Sequence, residues 1–437
     1  MDLMEAFKAY PDIAEPIIIK SDMVRLGVQF TQMALDEARK IESIRFKGYS
    51  LFAYDSTEAT VVSQEIPYYP FLDDGTDDGT LVQVRLAAKT PYLIDFDDGK
   101  FVVKWNGEKV AKIHHWGKRG KFTDRVMPDG TPYEAYVFTV GDDELFVTLN
   151  KYCEYFSRGE QCLFCDLTPH AAEQKKKGEA MVLRKKADKV AEVLDVALHE
   201  KQYRHIMISG GTILSTYQGM TELEWYCHML NTIRKRILTW YPACLQIGAL
   251  DDEDWKRLHD TGIPCIQPNI EVWDKRLFDI ICPGKSKVVG YDEWIKRIIN
   301  AVKYWGPGNV NPSFVAGIEM AQPFGFQRWQ DALKSTLSGF DFLMGNGVLP
   351  RQGDFWSIEP DSKLAGQPPP PLEYYLELGR GYLELREKHG FKRNFTVSCR
   401  HCLPHGTEFD FEYFHGHMAA SREAEEKSLV KSEEGRI

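Results

Sequence analysis

The sequence predicts an α/β protein: a TIM-like barrel of about six to eight β/α units with an N-terminal α+β accessory domain in front of it. Three observations carry this. Beyond about Asp143, strand-like runs alternate with long helical patterns, the signature of a parallel sheet with crossover helices. Before it, short strands and turns dominate, with the hairpin dipeptides Asp98-Gly99 and Asn106-Gly107 inside LIDFDDGKFVVKWNGEKVAKI. The chain has 437 residues, 43% hydrophobic and 27% charged, enough for two or three globular units with real cores.

Taken in order, residues 1–43 read as helical and the stretch from Ser43 to about Thr148 as a meander. DDGTDDGT at Asp73–Thr80 lacks a full EF-hand pattern and is expected to be a solvated loop. Candidate barrel strands are Glu144–Leu149, His205–Ser209, Cys244–Leu250, Cys265–Val272, Asn311–Ile318 and Asp354–Ile358. Helical patterns lie between and after them, near 184–200, 221–238, 251–262, 291–304, 326–344 and 372–389. Pro368–Pro371 marks a stiff connector, and the charged end without aromatics reads as a tail. The expected division is therefore 1–142 (accessory domain), 143–367 (barrel core), 368–420 (extension with a CxxC) and 421–437 (charged tail).

With 54 Lys+Arg against 64 Asp+Glu, the net charge of −10 argues against a nucleic-acid partner. No window approaches the length of apolar residues that spans a bilayer, and the acidic N-terminus lacks a leader-like apolar run. A cytoplasmic protein without a membrane partner is expected. Nine cysteines, an odd count, suggest reduced thiols or a metal site rather than a disulfide framework.

Directly after the first candidate strand, NKYCEYFSRGEQCLFCDL sets Cys153, Cys162 and Cys165 as C-x8-C-x2-C in a loop at the barrel mouth. Thiolates suit zinc or an iron–sulfur cluster. Three of them lack the fourth cysteine of a closed site and leave one coordination position free; His170 offers a fourth zinc ligand, so both readings stand at this point. The second candidate strand ends in Ser209-Gly210-Gly211-Thr212, where glycines let backbone approach a ligand closely.

These features, in this order, resemble radical S-adenosylmethionine (SAM) enzymes, with the texture of the biotin synthase, lipoyl synthase and [FeFe]-hydrogenase maturase branch. The resemblance rests on the cysteine loop with Phe164 before its last cysteine, the Gly-Gly turn, and QIGALDDEDWKRLHDTGIPCIQPNIEVWD. Within that stretch Asn269 and Glu271 match positions that touch the SAM ribose, and SFVAGIE, with Gly317 and Glu319, resembles the motif lying against adenine. The similarity runs over residues 144–360. Two departures stand out: the first cysteine gap is longer than the usual three residues, and Thr212 occupies a position where many members carry Glu.

The resemblance implies a [4Fe-4S] cluster on Cys153, Cys162 and Cys165, with SAM against Phe164, Ser209, Gly210, Gly211, Thr212, Asn269, Glu271, Gly317 and Glu319. It implies an oxygen-sensitive enzyme that cleaves SAM reductively. The resulting 5′-deoxyadenosyl radical takes hydrogen from a small-molecule substrate, with flavodoxin or ferredoxin as electron donor. No catalytic residue is singled out beyond these. Two other readings remain: transfer of the aminocarboxypropyl group of SAM, and a non-catalytic zinc or iron–sulfur protein. Cys399 and Cys402, flanked by His401 and His405 in SCRHCLPHG, are candidates for an auxiliary metal or for free thiols lining the barrel.

Overall fold

The structure, a computed structural model, describes residues 1–44, 46–49, 64–87, 89–200, 203–238, 240, 242–391 and 399–415. Parallel strands β1 (Glu144–Asn150), β2 (His205–Gly210), β3 (Ala243–Gln246) and β4 (Cys265–Gln267) pair in chain order, and Phe138–Val140 adds an antiparallel edge to β1. Parallel bridges Ile266–Val310 and Glu271–Phe314 lead on to β5 (Val315–Ala316), which pairs with β6 (Asp354–Phe355).

Among the described residues this arc of strands does not close into a barrel. The gap is bridged by the end of the chain. His405 O accepts from Phe355 N of β6 at 3.0 Å, and His401 O accepts from Asp142 N beside the opposite edge at 3.3 Å. Successive side chains of a strand face opposite sides. Leu145, Val147, Ile206, Ile208, Leu245 and Ile266 therefore pack outward in the larger core, while Phe146, Met207, Cys244 and Cys265 meet in a small cluster inside.

All six expected crossover helices form: Ala187–Glu200, Glu222–Ile237, Asp252–His259, Tyr291–Trp305, Trp329–Gly345 and Leu372–Lys388. Local chemistry sets their ends. Thr221 and Glu224 make a capping box at the start of the second, and Asp251 caps the third through Asp254 N.

In the N-terminal region three helices (Leu3–Ala9, Glu15–Leu26, Gln32–Arg39) accompany a six-stranded sheet. Both hairpin signals form turns with positive φ at Asp98, Gly99, Asn106 and Gly107. A second core unites Ile18, Met23, Ile94 and Val103 with Leu372, Leu376 and Phe411, so the two ends of the chain share one interior.

Buried charge fastens the same seam. Lys20 Nζ bonds Asp410 at 2.7 Å, Arg400 Nε bonds Asp410 at 3.0 Å, and Arg400 also pairs with Asp74. Asp73–Thr80 is a loop, as expected, but Asp74 is not solvated: its side chain is buried and accepts from Thr76 N at 3.0 Å and Thr80 Oγ1 at 2.8 Å. Burial pushes the Asp74 carboxyl up, but these hydrogen bonds and Arg400 outweigh it and leave its pKa below the ordinary value.

A carboxyl lowered in the folded state stabilises above its unfolded pKa and loses that contribution as pH falls through the folded value. Asp74→Asn is therefore expected to lower stability at neutral pH and to flatten the acid limb of a melting-temperature profile. A variant profile parallel to the wild-type acid limb would refute this.

Candidate functional site

β1 delivers the cysteine loop. Asn150, its last residue, is fully buried, donates Nδ2 to Gly211 O at 2.8 Å and accepts Tyr152 N on Oδ1 at 3.1 Å. Gly211 N returns a bond to Asn150 O at 2.8 Å, and Glu154 N bonds Thr212 O at 2.9 Å. The loop and the Gly-Gly turn are thus one unit. Cys153 precedes a short helix, Glu154–Ser157, and its N–H donates to Thr168 Oγ1 at 3.2 Å. Cys162 and Cys165 flank a tight turn, with Leu163 N bonded to Ile281 O at 2.8 Å.

The three thiols are half-buried and lie within one another's electrostatic reach. Burial pushes Cys153 and Cys165 above the ordinary thiol pKa, and neighbouring thiols add to it. Cys162 is drawn down, chiefly by a hydrogen bond with the buried Cys282 and also by Lys285. Thiols sharing one electrostatic neighbourhood on a half-exposed loop suit a soft multi-iron group that claims them together. His170 sits exposed on helix Leu167–Lys176.

Gly211 decides how closely loop and turn pack. A Cβ there would lie 2.7 Å from Cys153 N, Cα and Cβ, so backbone rather than a movable side chain would be struck. Gly211→Ala is expected to lower stability by about 1–3 kcal/mol and to displace Cys153. Iron content and melting temperature should both fall. Gly248→Ala, whose Cβ meets only the Trp294 ring at 3.8 Å, should change neither. Equal behaviour of the two variants would remove Gly211 from this role.

The other expected contacts are placed as follows. Ser209 pairs with Thr148 in the β1–β2 ladder, and Phe164 packs half-buried against the larger core. Asn269 Oδ1 accepts Ser313 N at 2.9 Å, tying β4 to the next segment. Glu271 has left-handed backbone (φ 70°), and its carboxylate accepts Lys285 Nζ at 2.6 Å while Asn269 O accepts the same ammonium at 2.8 Å. Burial works against the Lys285 charge, but Glu271 and the Cys162 and Cys282 thiols outweigh it and hold its pKa above the ordinary lysine value. Gly317, at φ 99°, lies against Pro370 and Tyr375. Glu319 is turned inward: it accepts Tyr374 Oη at 2.5 Å, Thr336 Oγ1 and Gly317 N.

Sequence reasoning missed Glu154 and Glu222. Glu154 accepts Leu214 N, Ser215 N and Ser215 Oγ, each at 2.8 Å, and so staples the turn to the loop. Glu222 accepts Ile213 N at 2.8 Å, and burial raises its pKa to about 7. Neither has a local motif, since their partners lie on another loop. Below the strand mouths, Gln246 Nε2 donates to Gln267 Oε1 at 3.0 Å inside the arc, and Glu144, Ser313 and Arg351 line the same cavity. Burial holds the Glu144 carboxyl well above its ordinary pKa.

No family model matches the chain. A curated protein, the bacteriochlorophyllide c C-7(1)-hydroxylase of Chlorobaculum limnaeum, is 21% identical over 339 residues, spanning 74% of this chain and 79% of that one. Among solved structures, methylornithine synthase (PylB) aligns at TM-score 0.36 and 13% identity, over 57% of this chain and 70% of that one. HydG, a maturase of the [FeFe]-hydrogenase, gives 0.34 and 14%, over 60% and 49%. Coproporphyrinogen III oxidase (HemN) from Escherichia coli, a radical SAM enzyme, gives 0.34 and 10%, over 57% and 53%. These scores are low, and none assigns a role to a residue.

The cysteine loop stands at the mouth of a parallel sheet, where the resemblance to radical SAM enzymes places it, and the curated relative spans three quarters of this chain. No helix among the described residues is long and apolar enough to cross a membrane.

Proposed function

We propose that Cys153, Cys162 and Cys165 hold the cluster and that SAM lies across the strand mouths, for hydrogen abstraction from a small molecule inside the arc. The observation that carries this is the cysteine loop locked onto the Gly210-Gly211 turn, with its three thiols half-exposed. When bound, the cluster and SAM supply the electron and the 5′-deoxyadenosyl radical.

The residues present do the rest. The Gly210-Gly211-Thr212 backbone receives the amino-acid end of SAM, with Ser209 at its edge. Thr212 carries no carboxylate; Glu222, bonded to Ile213 N beside the same turn, is the acidic group offered there in its place. Asn269 and the Glu271–Lys285 pair serve the ribose, Phe164 and the Gly317 turn border the adenine, and Glu319 acts by fixing that turn. Gln246, Gln267, Ser313, Arg351 and Glu144 offer hydrogen bonds to a polar substrate. The related hydroxylase acts at one carbon of bacteriochlorophyllide c; we extend to this chain only the class of reaction, functionalisation of a C–H bond.

Residues 1–142 serve as the accessory domain beside a barrel core of 143–367, with 368–420 as its extension and 421–437 as a tail. A flavodoxin- or ferredoxin-type donor in the cytoplasm would deliver the electron. The test is anaerobic reconstitution with iron and sulfide, reduction with dithionite and chromatography after adding SAM. 5′-Deoxyadenosine is expected. Methylthioadenosine in its place would establish aminocarboxypropyl transfer, and neither product, even with cell extract as substrate source, would overturn the reading.

A further inference from the structure

We propose that His205, Cys399 and Cys402 form a zinc site that pins the end of the chain to the start of β2. His205 Nδ1 lies 3.2 Å from Cys402 Sγ, and the two sulfurs lie 3.4 Å apart. All three donor atoms fall within 4.8 Å of one another, and the residues are buried to 2%, 6% and 3% exposure. With Zn–S near 2.3 Å and Zn–N near 2.05 Å, a tetrahedron has edges of about 3.8 Å (S–S) and about 3.5 Å (S–N), so a small outward movement admits the ion. Asp143 stands beside Cys399, its Oδ2 3.9 Å from that Sγ and 3.4 Å from Arg204 Nε, and would swing toward the ion to take the fourth position. His401 Nδ1, 3.0 Å from that same oxygen, orients the carboxylate as a partner behind the ligand.

The donors come from three distant parts of the chain, around positions 143, 205 and 400. Cys402 N bonds Cys399 O at 2.9 Å, a turn that puts both sulfurs on one side. Gly141 has no side chain where the His401 carbonyl lies, so the segment seats flush against the edge of the sheet. A donor set of two thiolates, one imidazole and one carboxylate suits a borderline-soft divalent ion and has too few thiolates for a second four-cysteine cluster. Binding releases the thiol protons and adds to the Arg400 ion pairs a cross-link between β2 and the chain end. The site lies at the opposite end of the strands from Cys153, Cys162 and Cys165, and does not depend on their role.

The test uses the full chain purified anaerobically. Elemental analysis should find one zinc per chain, and zinc-edge X-ray absorption should resolve two sulfur neighbours with nitrogen and oxygen, a readout that needs no variant. Cys399→Ser and Cys402→Ser should each lose the zinc and keep the iron of the first loop. Conversely, Cys162→Ala should lose iron and keep zinc. Zinc-free protein, zinc with other than two sulfur neighbours, a Cys399–Cys402 disulfide found by mass after alkylation, or loss of about half the iron in the Cys399 and Cys402 variants would overturn the proposal.

Discussion

Replacing Cys153, Cys162 or Cys165 singly by alanine is expected to remove most of the iron and visible absorbance and to abolish 5′-deoxyadenosine formation. A multi-iron group needs each thiolate, because the open position that meets the substrate exists only when the other three irons are held. The three positions differ in what else they hold. Cys162 is bonded to Cys282 and flanked by Lys285, so its loss also leaves an ammonium beside one fewer partner. Cys153 lies against Gly211 through its N, Cα and Cβ, which an alanine keeps, so its loss leaves that packing intact. Cys227→Ala, on helix Glu222–Ile237 with only a long contact (3.8 Å) from its sulfur to Arg257 O, is the matched control and should keep both iron and activity. Full iron in all three loop variants would sink the assignment.

Asp410→Ala should cost on the order of 3–5 kcal/mol, the range for removing one partner of a buried ion set. Asp410 is 1% exposed and serves two cations, Lys20 (fully buried) and Arg400. Burial draws the Lys20 pKa down and Asp410 opposes it, so without the carboxylate the lysine is expected to shed its proton. Asp410→Asn keeps the shape and one of the two accepted hydrogen bonds but not the charge, and should fall between. Chemical denaturation measures the order wild type, Asn, Ala. A loss under about 1 kcal/mol for the alanine variant would mean water reaches the pair and screens it as on a surface.

Much of this architecture follows from periodicity alone. The six helices after β1 lie where apolar spacing and caps put them, and both hairpin turns fall at Asp98-Gly99 and Asn106-Gly107. Strand ends were harder to read. Cys265–Val272 is uniformly strand-like in composition, yet β4 stops at Gln267 because Asn269 N turns back to Gln267 O and Glu271 adopts positive φ. Cysteine spacing named the loop, since a metal group leaves a local signature. The partners of Glu319 could not be read: Tyr374 is 55 residues away, and a carboxyl gives the same letter whether it meets a ligand or a tyrosine. Asp74, in an apparently solvated loop, was hidden for the same reason, its partner Arg400 lying 326 positions on.

That long reach sets a timetable for biosynthesis. Lys20 and Asp410 are separated by 390 positions, and Arg400 closes on Asp74 only when the chain is almost finished. At about 5–20 residues per second the early segments wait on the order of tens of seconds on the ribosome before their charged partners emerge. During that interval the Ile18, Met23 and Ile94 surface lacks Leu372, Leu376 and Phe411. The cysteine loop and its glycine turn, by contrast, are only some sixty positions apart and complete early. The loop can therefore lock onto its turn in a half-made protein whose two ends have yet to meet.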